Sequence, residues 1–263
     1  MGLHPRGARG PRRRRCPLKA DPEHQARLVQ LQALDTRLDQ LAHARATLPQ
    51  LARLADLGRE SAEVQRELAL AETALSDVQR ELAKAEADVQ LVRDRSARDQ
   101  ARLDAGTGTA KDLQALQSEL VSLARRQGEL EDAELAVMER AEEIEGEVGR
   151  LAARRAELAE ATRVVEAERA EALGALDSEA ASVSARRGEA VPGIAGDLLA
   201  LYDKIRSSHG GIGAAELRQR RCGGCRLELN QVDLSRIKAA AADEVLRCEE
   251  CRRILVRTAE SGI

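Results

Sequence analysis

Two long stretches with a heptad repeat, separated by a short turn, constrain the fold more than any other feature of this sequence. Within residues 64–92, apolar side chains recur at alternating steps of four and three, the pattern of a left-handed coiled coil. A similar pattern runs through residues 113–165. The two arms, 24–103 and 110–190, are of matched length, and glycines punctuate the turn at 104–109. The sequence therefore predicts an antiparallel helical hairpin.

The predicted turn also sets which residues face each other. Folding about it pairs residues whose numbers add to about 216, so that Leu75 faces Ala141. Asp21, followed by a proline, is the predicted N-cap of the first arm, and Thr109 is the predicted N-cap of the second. Pro49 predicts a kink or a short break in the first arm, because its ring removes a backbone donor.

The composition agrees with long helices rather than with a globular core. Phe and Trp are absent, Tyr202 is the only aromatic residue, and 33% of the residues are charged. Aromatic side chains usually supply much of the buried area of a core. A charged, Ala- and Leu-rich chain with sustained heptads is typical of coiled coils.

Near the C-terminus, two Cys-x-x-Cys pairs form the strongest chemical motif. Cys222 and Cys225 enclose two glycines, and twenty-two residues later Cys248 and Cys251 enclose two glutamates. Four thiolates at this spacing predict one zinc ion. A catalytic zinc normally keeps an open position, whereas four cysteines close the coordination shell, so the pattern favours a structural ion. A redox pair is the other interpretation, but the chain lacks a thioredoxin-like βαβ pattern.

The residues around the cysteines predict a small mixed unit. Residues 227–229 alternate like a strand, Asn230 can cap a short helix, and 254–256 supply a closing strand. The predicted fold class is thus an all-α, long antiparallel coiled-coil hairpin with a small C-terminal zinc ribbon, in which short β-strands surround the metal site. The predicted segments are a disordered basic tail (1–19), the hairpin (20–206), a hinge (207–215), the four-cysteine zinc ribbon (216–258) and a C-terminal tail (259–263).

The first 19 residues differ in charge from the rest of the chain. They hold seven basic residues and no acid, which leaves 35 basic and 45 acidic residues in the remainder. The segment is either a basic arm for a nucleic acid or a membrane surface, or the product of a start codon assigned too far upstream; the second interpretation is favoured. Cys16 lies here and has no partner in the sequence. No apolar run is long enough to span a membrane, and paired cysteines suit a reducing compartment, so we expect a cytoplasmic protein.

Six arginines of the ribbon are candidates for contact with a partner. Residues 216–257 contain ten basic and seven acidic residues, and a zinc tetrathiolate carries about −2, so the ribbon is close to neutral. It also lacks aromatic side chains on which single-stranded bases stack. A protein partner is therefore favoured over RNA or DNA, although both remain open. The six candidates are Arg218, Arg220, Arg221, Arg226, Arg252 and Arg253.

These motifs together resemble a known family, the bacterial coiled-coil proteins with a C-terminal four-cysteine zinc ribbon, long known only as a domain of unknown function. The resemblance covers roughly residues 20–258. It rests on Lys111–Leu120 and Leu130–Asp132 after the turn, on Tyr202 and Gly210-Gly211, on Cys222-Gly-Gly-Cys225, and on Arg247–Val256.

The resemblance implies a hairpin with a zinc ribbon at its open end and zinc bound by the four cysteines. Some relatives are adaptors or chaperones for sigma-54 and for flagellar or type III secretion components, and RNA binding is attributed to one branch. Arg252 stands where many family ribbons have glycine. We expect a non-enzymatic adaptor or chaperone-like scaffold that binds an unidentified protein. The alternative is a regulatory protein that binds nucleic acid through the ribbon arginines. Whether the chain is a monomer or a homodimer stays open.

Overall fold

The computed structural model describes residues 18–263, which belong to two compact units. One contains the described residues up to Leu48 together with Ala170–Ile263, and the other contains Pro49–Arg169. The predicted basic tail, apart from its last two residues, and Cys16 lie outside the described residues. The elements in chain order are α1 (Pro22–Ala46), α2 (Pro49–Asp104), α3 (Ala110–Ala190), a short 3-10 turn (Val191–Gly193), α4 (Gly196–Ser208), β1 (Ala214–Arg218), β2 (Arg221–Cys222), α5 (Gln231–Ala239), β3 (Leu246–Arg247) and β4 (Ile254–Val256).

The unit Pro49–Arg169 is a helical hairpin, as the heptads predicted. Its buried side chains fall on the apolar seam of each helix, and the positions between them are mostly exposed. The buried members are Val64, Leu68, Ala71, Val78 and Val89 on α2, and Leu123, Leu158 and Val165 on α3. Since a two-stranded seam gives each helix only one narrow apolar stripe, most of the remaining surface is charged.

Ion pairs between α2 and α3 define the register of this hairpin. Arg95 pairs with Glu119 at 2.5 Å, and the two residue numbers add to 214. Arg93 pairs with Glu131 at 2.6 Å, and those numbers add to 224. The predicted sum of about 216 lies within this range and agrees with it to within about one helical turn.

The helix ends follow the local sequence rules. The backbone N–H of Thr109 donates to the Asp112 carboxylate at 3.0 Å, and Asp112 N–H donates back to the Thr109 hydroxyl at 3.3 Å, which is a reciprocal capping box. The Asp21 carboxylate accepts a 2.9 Å hydrogen bond from Glu23 N–H and caps α1. Helix α1 ends at Ala46 and α2 begins at Pro49, so the predicted break is present.

The other unit contains the zinc ribbon and the helices that support it. Its sheet has the strand order β2-β1-β4-β3; β1 and β4 are parallel and the other neighbours antiparallel. One apolar cluster joins Leu28 and Leu31 of α1 to Tyr202 of α4 and Ile254 of β4. A second cluster lies within the ribbon around Leu217 and two of the cysteines. The ribbon therefore shares a core with α1 and α4.

Three predicted segment boundaries need correction. Lys19, assigned to the tail, forms an antiparallel bridge with Glu244, and Val245 N–H donates to Leu18 O at 2.9 Å. The hinge is shorter than 207–215, because α4 extends to Ser208 and β1 begins at Ala214. The C-terminal tail is also part of the fold: Ser261 is buried and donates to Leu217 O at 3.1 Å.

The ribbon contains more strands than the sequence indicated. Residues 227–229 form no strand and make only an isolated bridge from Glu228 to Arg221. The predicted closing strand is present as β4, and Asn230 caps α5 by accepting a 2.8 Å hydrogen bond from Asp233 N–H. No helix in residues 18–263 is both long and apolar enough to cross a lipid bilayer.

Candidate metal centre

Each cysteine pair lies on a tight turn whose backbone points at sulfur. The backbone N–H groups of Cys225 and Gly224 act to lower the pKa of the Cys222 thiol, and those of Cys251 and Glu250 act to lower the pKa of the Cys248 thiol. Such N–H groups stabilise the thiolate form, which is the form that binds a metal. The two turns therefore orient their sulfurs by the same local geometry.

The residue after each pair closes the turn in a left-handed conformation. Arg226 has φ 63° and donates its N–H to Cys222 O at 2.7 Å; Arg252 has φ 61° and donates to Cys248 O at 2.9 Å. Glycine adopts this conformation without the steric cost that a side chain incurs. Arg252 thus makes the turn that the resemblance would assign to glycine.

The four sulfurs are arranged for a tetrahedral ion. Cys222 Sγ lies 3.8 Å from Cys251 Sγ, Cys225 Sγ lies 3.9 Å from Cys248 Sγ, and all four lie within 4.8 Å of one another. Zinc–sulfur bonds of about 2.3 Å in a tetrahedron require sulfurs about 3.8 Å apart. The donor set therefore fits one zinc ion with no coordination position left open.

The protein environment alone does not favour ionisation of the buried thiols. Burial raises the pKa of Cys222 and of Cys248 above the ordinary value. Burial has the same tendency at Cys251, but hydrogen bonds from Arg253 and neighbouring groups outweigh it and lower the pKa of that thiol. A divalent cation at the centre would supply the charge that the other two thiolates need.

Among residues 18–263, no histidine adds to this donor set. Histidine 209 lies at the end of α4, where its Nδ1 is 2.8 Å from the Ser208 hydroxyl and 3.0 Å from Ile205 O. Within the described residues, the four cysteines form the only group of three or more metal-binding side chains.

The six candidate arginines do not form one free cluster. Three of them pair with carboxylates: Arg218 with Glu260 at 2.7 Å, Arg221 with Glu228 at 3.8 Å, and Arg252 with Glu249 at 2.9 Å. Arg220 donates to the Gln231 side chain at 2.8 Å. Arg226 is exposed and has no carboxylate within ion-pair distance in the described part of the chain.

Arg253 requires a correction, because its guanidinium is engaged inside the fold. It donates to His209 O at 2.7 Å, to Ile212 O at 3.0 Å and to Gly224 O at 3.4 Å. This side chain holds the segment between α4 and β1 against the first cysteine turn. The expected partner contact is replaced by hydrogen bonds within the fold as the role that the structure shows for Arg253.

A group of polar residues on α1 escaped the sequence analysis. Gln32 accepts from Gly213 N–H at 2.7 Å and donates to Gly211 O at 2.9 Å, so it binds the same connecting segment as Arg253. Gln25, Gln32 and Asp39 are spaced by seven residues, which places them on one face of α1. That spacing was the only sequence signal for these contacts. It was not sufficient, because polar residues at this spacing on a long helix usually form a solvent-exposed face.

Comparisons with known proteins agree with the geometry. Residues 31–210 match the model of the CT398-like coiled coil hairpin domain, and residues 221–255 match the C4-type zinc ribbon domain. An uncharacterised protein of Mycobacterium tuberculosis is 38% identical over 244 residues, covering 91% of this chain and 98% of the relative. One of Mycobacterium leprae is 29% identical over 221 residues, covering 82% and 93%.

Two solved structures are also similar. One from Mycobacterium smegmatis has a TM-score of 0.81 and 37% identity, covering 91% of this chain and 100% of its own. CT398 from Chlamydia trachomatis has a TM-score of 0.65 and 17% identity, covering 89% and 98%. At that identity the likeness to CT398 concerns the fold alone.

Proposed function

Because the chain belongs to the family of CT398-like coiled-coil hairpin proteins and carries a C4-type zinc ribbon, we propose that it is a non-enzymatic adaptor or chaperone-like scaffold. Its ribbon, held together by one structural zinc ion, binds a protein partner. Cysteine pairs that bind a metal suit a reducing compartment, which supports a cytoplasmic location for the scaffold.

The attachment of the ribbon to the helices carries this proposal. Gln32 of α1 and Arg253 of the ribbon bind the same short connecting segment, at Gly211 O and Ile212 O respectively. Gly213 in that segment packs so closely on Tyr202 that an added Cβ would lie 2.7 Å from the ring. A ribbon held in this way has a fixed orientation, and a fixed orientation lowers the entropy lost when a partner binds.

The closed metal shell supports a role without catalysis. A zinc ion with four thiolates has no position for a substrate or an activated water. The zinc site therefore has a structural role: it fixes the conformation of the two cysteine turns and the four short strands. For so small a unit, metal binding supplies much of the folding free energy.

The surroundings of the arginines favour a protein partner over nucleic acid. Arg218, Arg221 and Arg252 already pair with carboxylates, and Arg253 binds backbone carbonyls. A phosphate surface needs several uncommitted cations, because each neutralised phosphate contributes to affinity. Of the six candidate arginines, only Arg220 and Arg226 have neither a carboxylate nor a backbone carbonyl as partner within the described residues. The only aromatic residue, Tyr202, is buried, so it offers no platform for stacking a base.

Partner capture with matched variants tests the proposal. The intact chain and a Cys222→Ser variant are used as bait in a bacterial extract, with Cys16→Ser as the control because Cys16 is outside the four-cysteine set. We expect partners that the intact chain and Cys16→Ser retain and Cys222→Ser loses. Identical partner sets for all three baits would refute the role of the ribbon.

The nucleic-acid alternative predicts a different result, which a binding assay with RNA and DNA measures. It requires RNA or DNA binding that weakens with salt and weakens further when Arg220 and Arg221 are both replaced by Ala. Such a result, with no protein retained, would replace the adaptor function.

A further inference from the structure

The ribbon exposes three large apolar side chains. Val232 is 78% exposed, Leu227 is 52% exposed and Ile263 is 39% exposed. They are the exposed large apolar residues of the described chain from Ala214 onward. Val232 lies on α5 and Leu227 follows the first cysteine turn, so both lie within residues 216–240, the half of the ribbon sequence that contains Cys222 and Cys225.

Cations without a carboxylate partner lie on the same half. Arg220, Arg226 and Lys238 have no carboxylate within ion-pair distance among the described residues. By contrast, Arg247 and Arg257 direct their guanidinium groups to backbone carbonyls. The three uncommitted cations are therefore available to a partner.

Backbone and side-chain contacts bring these residues onto neighbouring segments. Leu229 N–H donates to Arg220 O at 2.9 Å, and Cys222 N–H donates to Leu227 O at 3.0 Å. The Arg220 guanidinium reaches Gln231, the residue before Val232, at 2.8 Å. A surface cavity of about 240 Å³ lies between Arg220 and Lys238 and is also lined by Ile263. Arg220, Arg226, Leu227, Val232 and Lys238 are named here the first-knuckle face.

The conformation of Arg226 suggests that its side chain has a use outside the fold. A left-handed residue with a side chain costs on the order of 1–2 kcal/mol relative to glycine. Arg252 adopts the same conformation, but its guanidinium pairs with Glu249. Arg226 has no such contact among the described residues, and strain of this kind concentrates at functional sites.

The charge distribution indicates what would bind here. Residues 216–240 contain six basic and three acidic residues, whereas residues 241–257 contain four of each. The excess of basic residues thus lies in the same half of the ribbon sequence as the exposed Leu227 and Val232. A complementary surface carries carboxylates beside apolar groups.

We propose that the first-knuckle face is the docking surface for an acidic segment with interspersed apolar side chains, supplied by a protein partner. This inference rests on the adaptor function and specifies the chemistry of its partner. The apolar side chains of the segment cover Val232 and Leu227, and its carboxylates pair with Arg220, Arg226 and Lys238.

Defined peptides test the proposal without knowledge of the partner. Three labelled peptides of equal length are titrated with the zinc-loaded full chain: one of Glu and Leu, one of Lys and Leu, and one of Glu and Ser. A variant with Arg220→Gly, Arg226→Gly and Lys238→Ala keeps the left-handed positions unstrained. The matched control is Arg252→Gly, which relieves the same strain at the second cysteine turn. Zinc content and circular dichroism establish that each variant is folded.

The expected result is binding of the Glu–Leu peptide alone, weakened about tenfold or more by the triple variant and unchanged by Arg252→Gly. Since residues 1–17 are common to all variants, their basic charge cannot produce this difference. Equal binding by the triple variant and the intact chain would overturn the proposal. So would equal binding of the Glu–Ser peptide, or preferred binding of an RNA oligonucleotide through the same residues. If Cys222→Ser loses its partners while the triple variant keeps them, the adaptor function stands and only this face is refuted.

Discussion

The Tyr202 hydroxyl donates a 2.7 Å hydrogen bond to Oδ2 of Asp35, a carboxylate whose side chain is 3% exposed. The same carboxylate accepts from Arg187 Nε at 2.6 Å and lies 3.6 Å from Arg206 Nε. Asp35 is on α1, Arg187 on α3, and Tyr202 and Arg206 on α4. One buried carboxylate therefore connects α1 and α4, which share a core with the ribbon, to the C-terminal end of α3.

Removing this carboxylate should strongly destabilise the unit. In an Asp35→Leu variant, we expect a loss of about 3–5 kcal/mol of unfolding free energy, because Arg187 and Arg206 lose the charge that compensates them. Asp39→Asn is the matched control: Asp39 pairs with the same Arg206 at 2.7 Å but is half exposed, so the loss should stay below about 1 kcal/mol. Urea denaturation followed by circular dichroism measures both values. Equal losses would mean that burial of Asp35 contributes nothing.

The single tyrosine makes a second prediction directly observable. Burial, followed by the hydrogen bond to Asp35, raises the pKa of Tyr202 above its ordinary value of 10.0. The stability that depends on neutral Tyr202 is fully present below pH 10.0 and is lost as the pH rises above it, because the unfolded chain then releases the proton more readily.

Tyr202 is the only aromatic residue, so ultraviolet absorbance of tyrosinate reports on this position alone. We expect no tyrosinate signal in the folded protein as the pH passes the ordinary value, and a signal that appears together with unfolding. A titration curve with an ordinary midpoint, and helical content unchanged, would contradict the buried position. Chain dissolved in denaturant provides the reference curve.

Local rules predicted the elements whose causes are local. The heptads placed α2 and α3, and the caps at Asp21, Thr109 and Asn230 act through hydrogen bonds to residues two or three positions away. The four zinc ligands were evident because their spacing is itself the requirement of the metal.

The features that escaped prediction depend on residues distant in the chain. Asp35 is buried because Arg187 and Tyr202, 152 and 167 positions away, meet it. From the sequence alone, Asp35 would be predicted to be exposed, as acidic residues on a charged helix usually are. Arg253 likewise resembles the other ribbon arginines until the fold brings its guanidinium to His209 O. Long-range contacts of this kind have no periodic signature.

The segment between α4 and β1 should tolerate no side chain at Gly213. A Cβ there would lie 2.7 Å from both the ring and the carbonyl oxygen of Tyr202. Gly213→Ala should therefore destabilise the ribbon unit by about 2 kcal/mol or more, since neither neighbour can move without disturbing the packing. Gly174→Ala is the matched control, because Gly174 lies within α3 and has nothing within 4 Å of an added Cβ. That change should stabilise the helix by about 1 kcal/mol.

Thermal unfolding of the two variants measures whether each is less or more stable than the intact chain. A Gly213→Ala variant of unchanged stability would contradict the close packing.

Replacing a left-handed arginine of a cysteine turn by glycine should slightly stabilise the ribbon, in contrast to the destabilisation expected for Gly213→Ala. Arg226 and Arg252 are left-handed at φ 63° and 61°. We expect Arg226→Gly to leave the ribbon as stable as before or to stabilise it by up to about 1 kcal/mol, whereas Arg226→Val should destabilise it, because a β-branched residue fits this conformation poorly. Competition with a chelator, measured as the chelator concentration that removes half of the zinc, provides the readout. A glycine variant that releases zinc more easily than the valine variant would contradict the turn geometry.

Zinc removal should unfold the ribbon and leave the helical hairpin folded. The second apolar cluster includes Cys222 and Cys248 themselves, so without the metal the ribbon loses both its ligand bonds and part of its core. Helices α2 and α3, with 56 and 81 residues, contain no zinc ligand, and α5 has only nine residues. We therefore expect chelation, or a Cys248→Ser substitution, to release one zinc ion per chain and make the region after Gly213 sensitive to protease.

The helical circular dichroism signal should fall only slightly when the zinc is removed. Cys16→Ser should retain the zinc. Loss of most of the helical signal together with the metal would show that the hairpin depends on the ribbon for its folding.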